Sequence, residues 1–265
     1  MPSKIVVSLM AFALLVLIIS SNLCAQVSVS AQPPSNKYNL GNQVPAMRMD
    51  PVDVDALLAQ DSADQKLGLP LRFGYPFDVS YTLENSGEWQ DLPDGGRVWR
   101  LQIEVPGAHS TNLLYDEFYL PEGAQLFLFN ADGSMRLGAF TSKNNKSHGK
   151  FATGLLKGPV CNLEYYEPPT VRGQGIISIN RVVHGYRDVF DREVRKNALD
   201  FGQSGPCNNN INCPEGNDWQ QEKRAVAMII TAGGTRWCTG ALINNVRQDL
   251  TPYFLTADHC LGGEA

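Results

Sequence analysis

The residue types best suited to nucleophilic, acid–base and metal chemistry are few in this chain and unevenly placed. Of its four histidines, His109, His148 and His184 stand far apart, each in a different turn or strand end. No two of them have the spacing of metal ligands, so a structural or solvent-facing role is the reading for each. Cys24 lies near the start, and Cys161, beside Val160 and Leu163, reads as a small buried hydrophobe. Cys207, Cys213, Cys238 and Cys260 crowd into the last quarter together with His259. Those five residues could suggest a zinc module, but the paired C-x₂₋₄-C knuckles of such sites are absent. Asp50, Asp53 and Asp55 could suggest a calcium loop, yet they lack its Gly and distal Glu and read as solvated. The sequence therefore predicts no metal and no cofactor, and it concentrates chemistry after residue 200.

Several elements must position those residues. Lys4 followed by the apolar run Ile5 to Ile19 and the polar exit Ser20-Ser21-Asn22 reads as an export signal over residues 1–25, too short for a membrane span. Cleavage after Ala25 would remove Cys24 and leave five cysteines in an oxidising compartment, an odd number, so that one thiol stays free, pairs with another chain or has lost its partner. Residues 26–66 read as a linker with one short helix over Asp53 to Gln60, Asp53 capping its first turn. Residues 67–190 change to short strand-like runs between turns. Val98 to Val105 largely alternates apolar with polar before Pro106-Gly107, and Gln125 to Phe129, Asn162 to Tyr166 and Ile176 to Val183 follow the same habit. This pattern predicts an antiparallel β-sandwich, within which Asn145-Lys146-Ser147 is a formal glycosylation triplet. Residues 191–206 read as a charged linker open to processing.

Composition narrows the functional classes. The chain has 265 residues, 22 Lys+Arg against 27 Asp+Glu and a formal charge of -5. A nucleic-acid binder needs a basic stripe, so that class is excluded. With 18% charged and 43% hydrophobic residues, the chain is not disordered by composition.

In the last region, Arg236-Trp237-Cys238-Thr239-Gly240-Ala241-Leu242-Ile243 precedes Tyr253-Phe254-Leu255-Thr256-Ala257-Asp258-His259-Cys260. These blocks resemble the start of trypsin-like serine proteases, where a C-x-G-[ST/A]-L-[IV] strand is followed by T-A-x-H-C. The segment Cys207-Asn208-Asn209-Asn210-Ile211-Asn212-Cys213-Pro214-Glu215-Gly216 looks like the mature start of the bacterial lysyl endopeptidase group. The resemblance covers about residues 202–265, and the preceding sandwich looks like the pro-region of such enzymes. It implies an all-β chain: a sandwich pro-domain, then an incomplete first β-barrel over 207–265. It also implies His259 as the general base, a disulfide between Cys238 and Cys260, and distant partners for Cys207 and Cys213.

Two strands joined by a turn can bring Cys238 and Cys260 together, and closing that loop is worth roughly 3 kcal/mol. The bridge would hold the turn carrying His259, and a general base must lie within hydrogen-bond reach of its nucleophile. The family's chain order is His, Asp, Ser, and six residues follow His259. Asp258 is adjacent to His259 and cannot turn back onto its ring. Gly202-Gln203-Ser204-Gly205-Pro206 superficially resembles the nucleophile motif G-D-S-G-x-P, but it precedes the His and lacks the Asp.

The expectation is a secreted, extracellular, bacterial serine endopeptidase precursor, truncated before its Asp and Ser and inactive alone. Its partners would be a polypeptide substrate, cleaved after Lys by the nearest resemblance, and its own pro-domain; neither nucleic acid nor, after signal cleavage, membrane is expected. Lys196 is a candidate basic processing site, while the family's mature start aligns at Phe201-Gly202. The competing class is a non-enzymatic secreted binding or adhesion protein built on the sandwich.

Overall fold

A computed structural model describes residues 28–41, 43–67, 69–190, 211, 213–231, 233–249 and 251–260. The export signal with Cys24, the charged linker with Lys196, the Gly202 to Pro206 segment and Cys207 lie outside the described residues. Strands, nearly all in antiparallel pairing, make up most of the regular structure among the described residues, the all-β class expected.

Two sheets share one core. The first contains β1 (Ala46–Arg48), β4 (Glu88–Asp91), β5 (Arg97–Glu104), β7 (Gln125–Phe129), β8 (Arg136–Phe140) and β11 (Val160–Glu167). Its order is β1-β5-β11-β7-β8, with β4 also on β5. β1 pairs in parallel with Gln102 to Glu104, and β4 pairs antiparallel with Arg97 to Arg100, so together they cover one edge of β5. The second sheet contains β3 (Gly74–Thr82), β6 (Ser110–Tyr119), β9 (Phe151–Ala152), β10 (Leu156–Lys157) and β12 (Ile176–Gly185), with β6 between the short strands and β12.

The period-two alternation in β5 sends Trp99, Leu101 and Ile103 inward, where they meet Leu163 and Tyr165 of β11 and Leu113, Ile179 and Val182 of the facing sheet. Cys161 belongs to this core, and burial pushes its thiol well above the ordinary range, so it behaves as an apolar filler. Asn145 is committed to structure as well. Its amide nitrogen donates to the Leu120 carbonyl at 2.8 Å and its amide oxygen accepts from Leu120 N at 2.9 Å.

Residues 28–66 do more than link. They form α1 (Pro34–Tyr38), β1 and α2 (Val54–Lys66), and the stretch before β1 runs across the outer face of the first sheet. Ala139 N donates to the Val29 carbonyl and Val29 N to the Ala139 carbonyl; Ser35 N donates to Glu164 Oε2, and Arg100 Nη2 to the Gly41 carbonyl. That face carries charged groups that need partners, which the polar composition of the segment does not disclose. α2 starts where expected, with Asp53 accepting from Ala56 N at 3.1 Å, but runs six residues beyond Gln60. The extension has no apolar period; it is held by Asp61 and Asp64, which reach arginines elsewhere.

Candidate functional site

The third sheet carries the cysteine and histidine blocks. β13 (Val226–Ile230), β14 (Arg236–Ile243) and β15 (Tyr253–Thr256) form an antiparallel meander in which Gly240 faces Thr256 and Ile243 faces Tyr253. The turn at Asn244-Asn245 lets the chain double back, and Asn245 Nδ2 donates to Asp249 Oδ1. Gly240 is required at its position. A Cβ there would fall 2.2 Å from Phe254 Cε1 and 2.7 Å from the Leu255 carbonyl. The glycine of the C-x-G block is thus a packing requirement of the β14–β15 pair.

β15 ends in a 3₁₀ turn, Asp258–Cys260, which holds the His259 backbone at its centre. Cys260 N donates to the Ala257 carbonyl at 3.0 Å, and Thr256 Oγ1 donates to the Thr239 carbonyl at 3.0 Å. Cys238 and Cys260, 22 positions apart, are joined by a disulfide with Cα atoms 5.9 Å apart. The turn is therefore anchored covalently to the middle of β14. Asp258 is exposed beside it, and Cys213 is an exposed free thiol at the start of the 3₁₀ segment Pro214–Trp219. Among the described residues no group of three or more His, Cys, Asp or Glu side chains could hold a metal ion. Asp53 is used as a helix cap, His148 Nδ1 accepts from Lys150 N, and His184 Nε2 lies 3.1 Å from the Pro106 carbonyl.

A second cluster escaped the sequence reading. β2 (Leu71–Arg72) extends the third sheet by pairing with β14, Arg72 opposite Arg236 and Leu71 opposite Trp237. Phe73 N then donates to the Thr235 carbonyl at 2.8 Å, and the Phe73 ring stacks on Trp237 at 4.9 Å. Phe73, Val183 and Trp237 form a small core of their own, flanked by Leu71, Leu114 and Ile230. Around it lies a buried polar network. Asp61 accepts from Arg72 Nε, Arg187 Nη2 and Tyr186 Oη, each at 2.7 Å, and Asp64 pairs with Arg236. Burial alone would raise the Asp61 carboxyl, but the bonds from Tyr186, Arg187 and Arg72 outweigh it and hold the group below the ordinary Asp value. The Tyr186 hydroxyl is pushed up to about 12, first by burial and then by its bond to Asp61. The only local hint was Asp61 and Asp64 at i, i+3 on one helical face; their arginines lie far away in sequence.

The third sheet leaves much apolar surface in solvent. Met228, Tyr253 and Leu255 are 56%, 52% and 60% exposed, and Val226, Leu242 and Ile243 are exposed as well. Sheets normally bury at least one face, so these side chains form an unusually apolar exposed surface among the described residues.

An all-β chain with a two-sheet sandwich, clamped to a separate sheet that carries a disulfide-anchored histidine turn, defines the structural class. Residues 201–265 match the family described as lysyl endopeptidase, C-terminal domain. A lysyl endopeptidase of Pseudomonas aeruginosa is 25% identical over 197 residues, covering 67% of this chain and 40% of that protein. The chain thus spans about two fifths of the length of this curated relative. These matches support a relationship to the lysyl endopeptidase family of serine peptidases. Among solved structures, a periplasmic inhibitor of g-type lysozyme, PliG of Aeromonas hydrophila, aligns with 53% of this chain and 95% of its own at 10% identity and a TM-score of 0.23, a likeness that carries no argument.

Proposed function

We propose that this chain is the N-terminal part of the precursor of a secreted bacterial serine endopeptidase, in which residues 67–190 are the pro-region and 207–265 begin the peptidase domain. His259 is the general base of an acyl-enzyme mechanism. It takes the proton from a Ser hydroxyl supplied by a later part of the domain and returns it to the leaving amine. The observation that carries this reading is the Cys238–Cys260 bridge, which ties the His259 turn to β14 within the segment that matches the peptidase family. The exposed apolar surface of β13 to β15 agrees with a domain that packs against further strands. The contacts of Leu71, Arg72 and Phe73 with residues 235–237 are the means by which the pro-region holds the nascent domain. Cleavage after Lys is the specificity that the family relationship suggests. These 265 residues alone supply the base without the later Asp and Ser, and we expect no peptide hydrolysis from them by themselves.

Reading the gene beyond the Ala265 codon and assaying its secreted product on a lysine-containing peptide tests this. The expected result is a downstream Asp and G-x-S-G segment, hydrolysis after Lys, and a loss of about 10⁶-fold in turnover with His259→Ala. The 265-residue chain should neither hydrolyse the peptide nor take up a fluorophosphonate. An in-frame stop without that segment, or activity indifferent to His259→Ala, overturns the proposal.

A further inference from the structure

We infer that the Lys66–Leu67 bond is a processing site distinct from the 191–206 linker, at which lysine-directed hydrolysis opens the clamp between the sandwich and the third sheet. The inference rests on the peptidase reading for the enzyme that makes this cut.

Lys66 is the last residue of α2 and is exposed, and Leu67 and Leu69 beyond it are 76% and 47% exposed. Neither leucine belongs to the sandwich core or to the small core around Phe73. Leu69 and Pro70 border a cleft of about 210 Å³ that they share with Asp61, Arg72 and Arg236, so this connector is not packed down on that side. α2 has no apolar face to hold its end in place; Leu57 and Asp61 are its buried residues. Leu67 N and Leu69 N both donate to the Asp64 carbonyl, at 3.0 and 3.3 Å. Exposed chain at a helix end with so few ties is where local opening and proteolysis concentrate.

The position of the bond gives the cut its consequence. Arg236 of β14 donates through Nη2 to the Asp64 carboxylate and through Nη1 to the Pro70 carbonyl. One guanidinium from the third sheet therefore closes a loop from Asp64 to Pro70, and Lys66–Leu67 lies in the middle of it. Upstream are the acids of the clamp, Asp61 and Asp64; downstream is β2, which pairs with β14. While the bond is intact, each contact with Arg236 keeps the other partner close at hand, and once it is cut the two are independent. Hydrolysis adds one water across the C–N bond and leaves a carboxylate on Lys66 and an ammonium on Leu67. That carboxylate stands at the negative pole of α2, two residues from Asp64, and favours unwinding of the turn that holds Asp64. The cations within the clamp, Arg72, Arg187 and Arg236, are arginines. An enzyme directed to lysine passes over them, and Lys66 is its target on the loop.

The test uses the 265-residue chain carrying Lys196→Arg, which closes the linker to the enzyme, and a lysine-specific endopeptidase supplied from another source. Because the enzyme is added, a failure here is a failure of the site and leaves the peptidase reading standing. Mass spectrometry of a native digestion should show fragments ending at Lys66 before any cut after Lys37, Lys143, Lys146, Lys150, Lys157 or Lys223. Lys66→Arg should abolish those fragments, and Asp64→Asn should hasten them roughly fivefold by freeing the last turn of α2. Hydrogen exchange in β13 to β15 should quicken in the cut chain relative to the Lys66→Arg chain treated alike, while β5 and β11 stay protected. An earlier cut at one of the other lysines, a rate indifferent to Asp64→Asn, or a cut at Lys66 that leaves exchange in β13 to β15 unchanged overturns the inference.

Discussion

Arg72 and Arg236 sit directly opposite each other in an antiparallel pair, a placement that would repel were each not given its own carboxylate. Asp61 takes Arg72 and Asp64 takes Arg236, and the two acids come from one turn of α2. One helix thereby staples the sandwich to the third sheet.

Asp61→Asn is expected to cost about 3–5 kcal/mol, because it leaves the guanidiniums of Arg72 and Arg187 without their shared buried counter-charge. Urea unfolding at neutral pH measures it, and a loss under about 1 kcal/mol would contradict this account. The pH sign follows from the lowered pKa. The contribution of Asp61 is complete above the ordinary Asp value near 3.9 and is lost as pH falls through its lower folded value. The variant should therefore show a shallower acid limb than the parent.

Trp237→Ala removes the ring stacked on Phe73 and is expected to weaken docking of the third sheet by about 3–5 kcal/mol. The sandwich has its own core, so the damage should stay local. Hydrogen exchange should quicken in β13 to β15 while β5 and β11 amides remain protected; equal loss in both would show that the two cores unfold as one.

His184 is buried and its pKa is lowered, chiefly by desolvation and further by the nearby His109, while backbone hydrogen bonding partly offsets these. The unfolded chain then binds a proton more readily than the fold does. Stability from this residue is intact above about pH 6.5 and declines as pH falls from there through the lower folded value. His184→Gln should flatten the stability profile between neutrality and mild acid, and an unchanged slope in thermal unfolding against pH would remove His184 as its source.

Replacing Cys238 and Cys260 together by Ser opens a loop of 22 positions and is expected to cost about 3 kcal/mol on the chain-entropy model. Protease digestion under native conditions should then cut first near residues 253–260. Equal resistance of the parent in the presence and absence of a thiol reductant would argue that strand pairing alone holds the His259 turn.

Much of the architecture was legible in local pattern. The alternation of Val98 to Val105 identified β5 with its inward and outward residues, Asp53 marked the start of α2, and the apolar neighbours of Cys161 pointed to its burial. The end of α2 was not legible, because Asp61 and Asp64 are helix-neutral by themselves and gain their place only from Arg72, Arg187 and Arg236. Nor was the covering of the first sheet by residues 28–45. Polar text without period reads as linker, whereas the Gly41 carbonyl within it accepts from Arg100 and Ser35 N within it donates to Glu164.

What the sequence determined by itself is the set of short-range facts: strand period, helix start, and two blocks whose Cys, Gly and His spacing resembles a peptidase. Those depend on neighbours a few positions apart, where backbone geometry dictates which side chains share a face. Only the tertiary structure decided that a two-residue strand beside Phe73 joins the sandwich to β14, that one helical turn neutralises two facing arginines, and that Arg100 and Glu164 meet beneath a polar cleft. These are contacts between groups tens to more than a hundred positions apart, and charge or apolar character in one segment carries no record of the distant partner that will satisfy it.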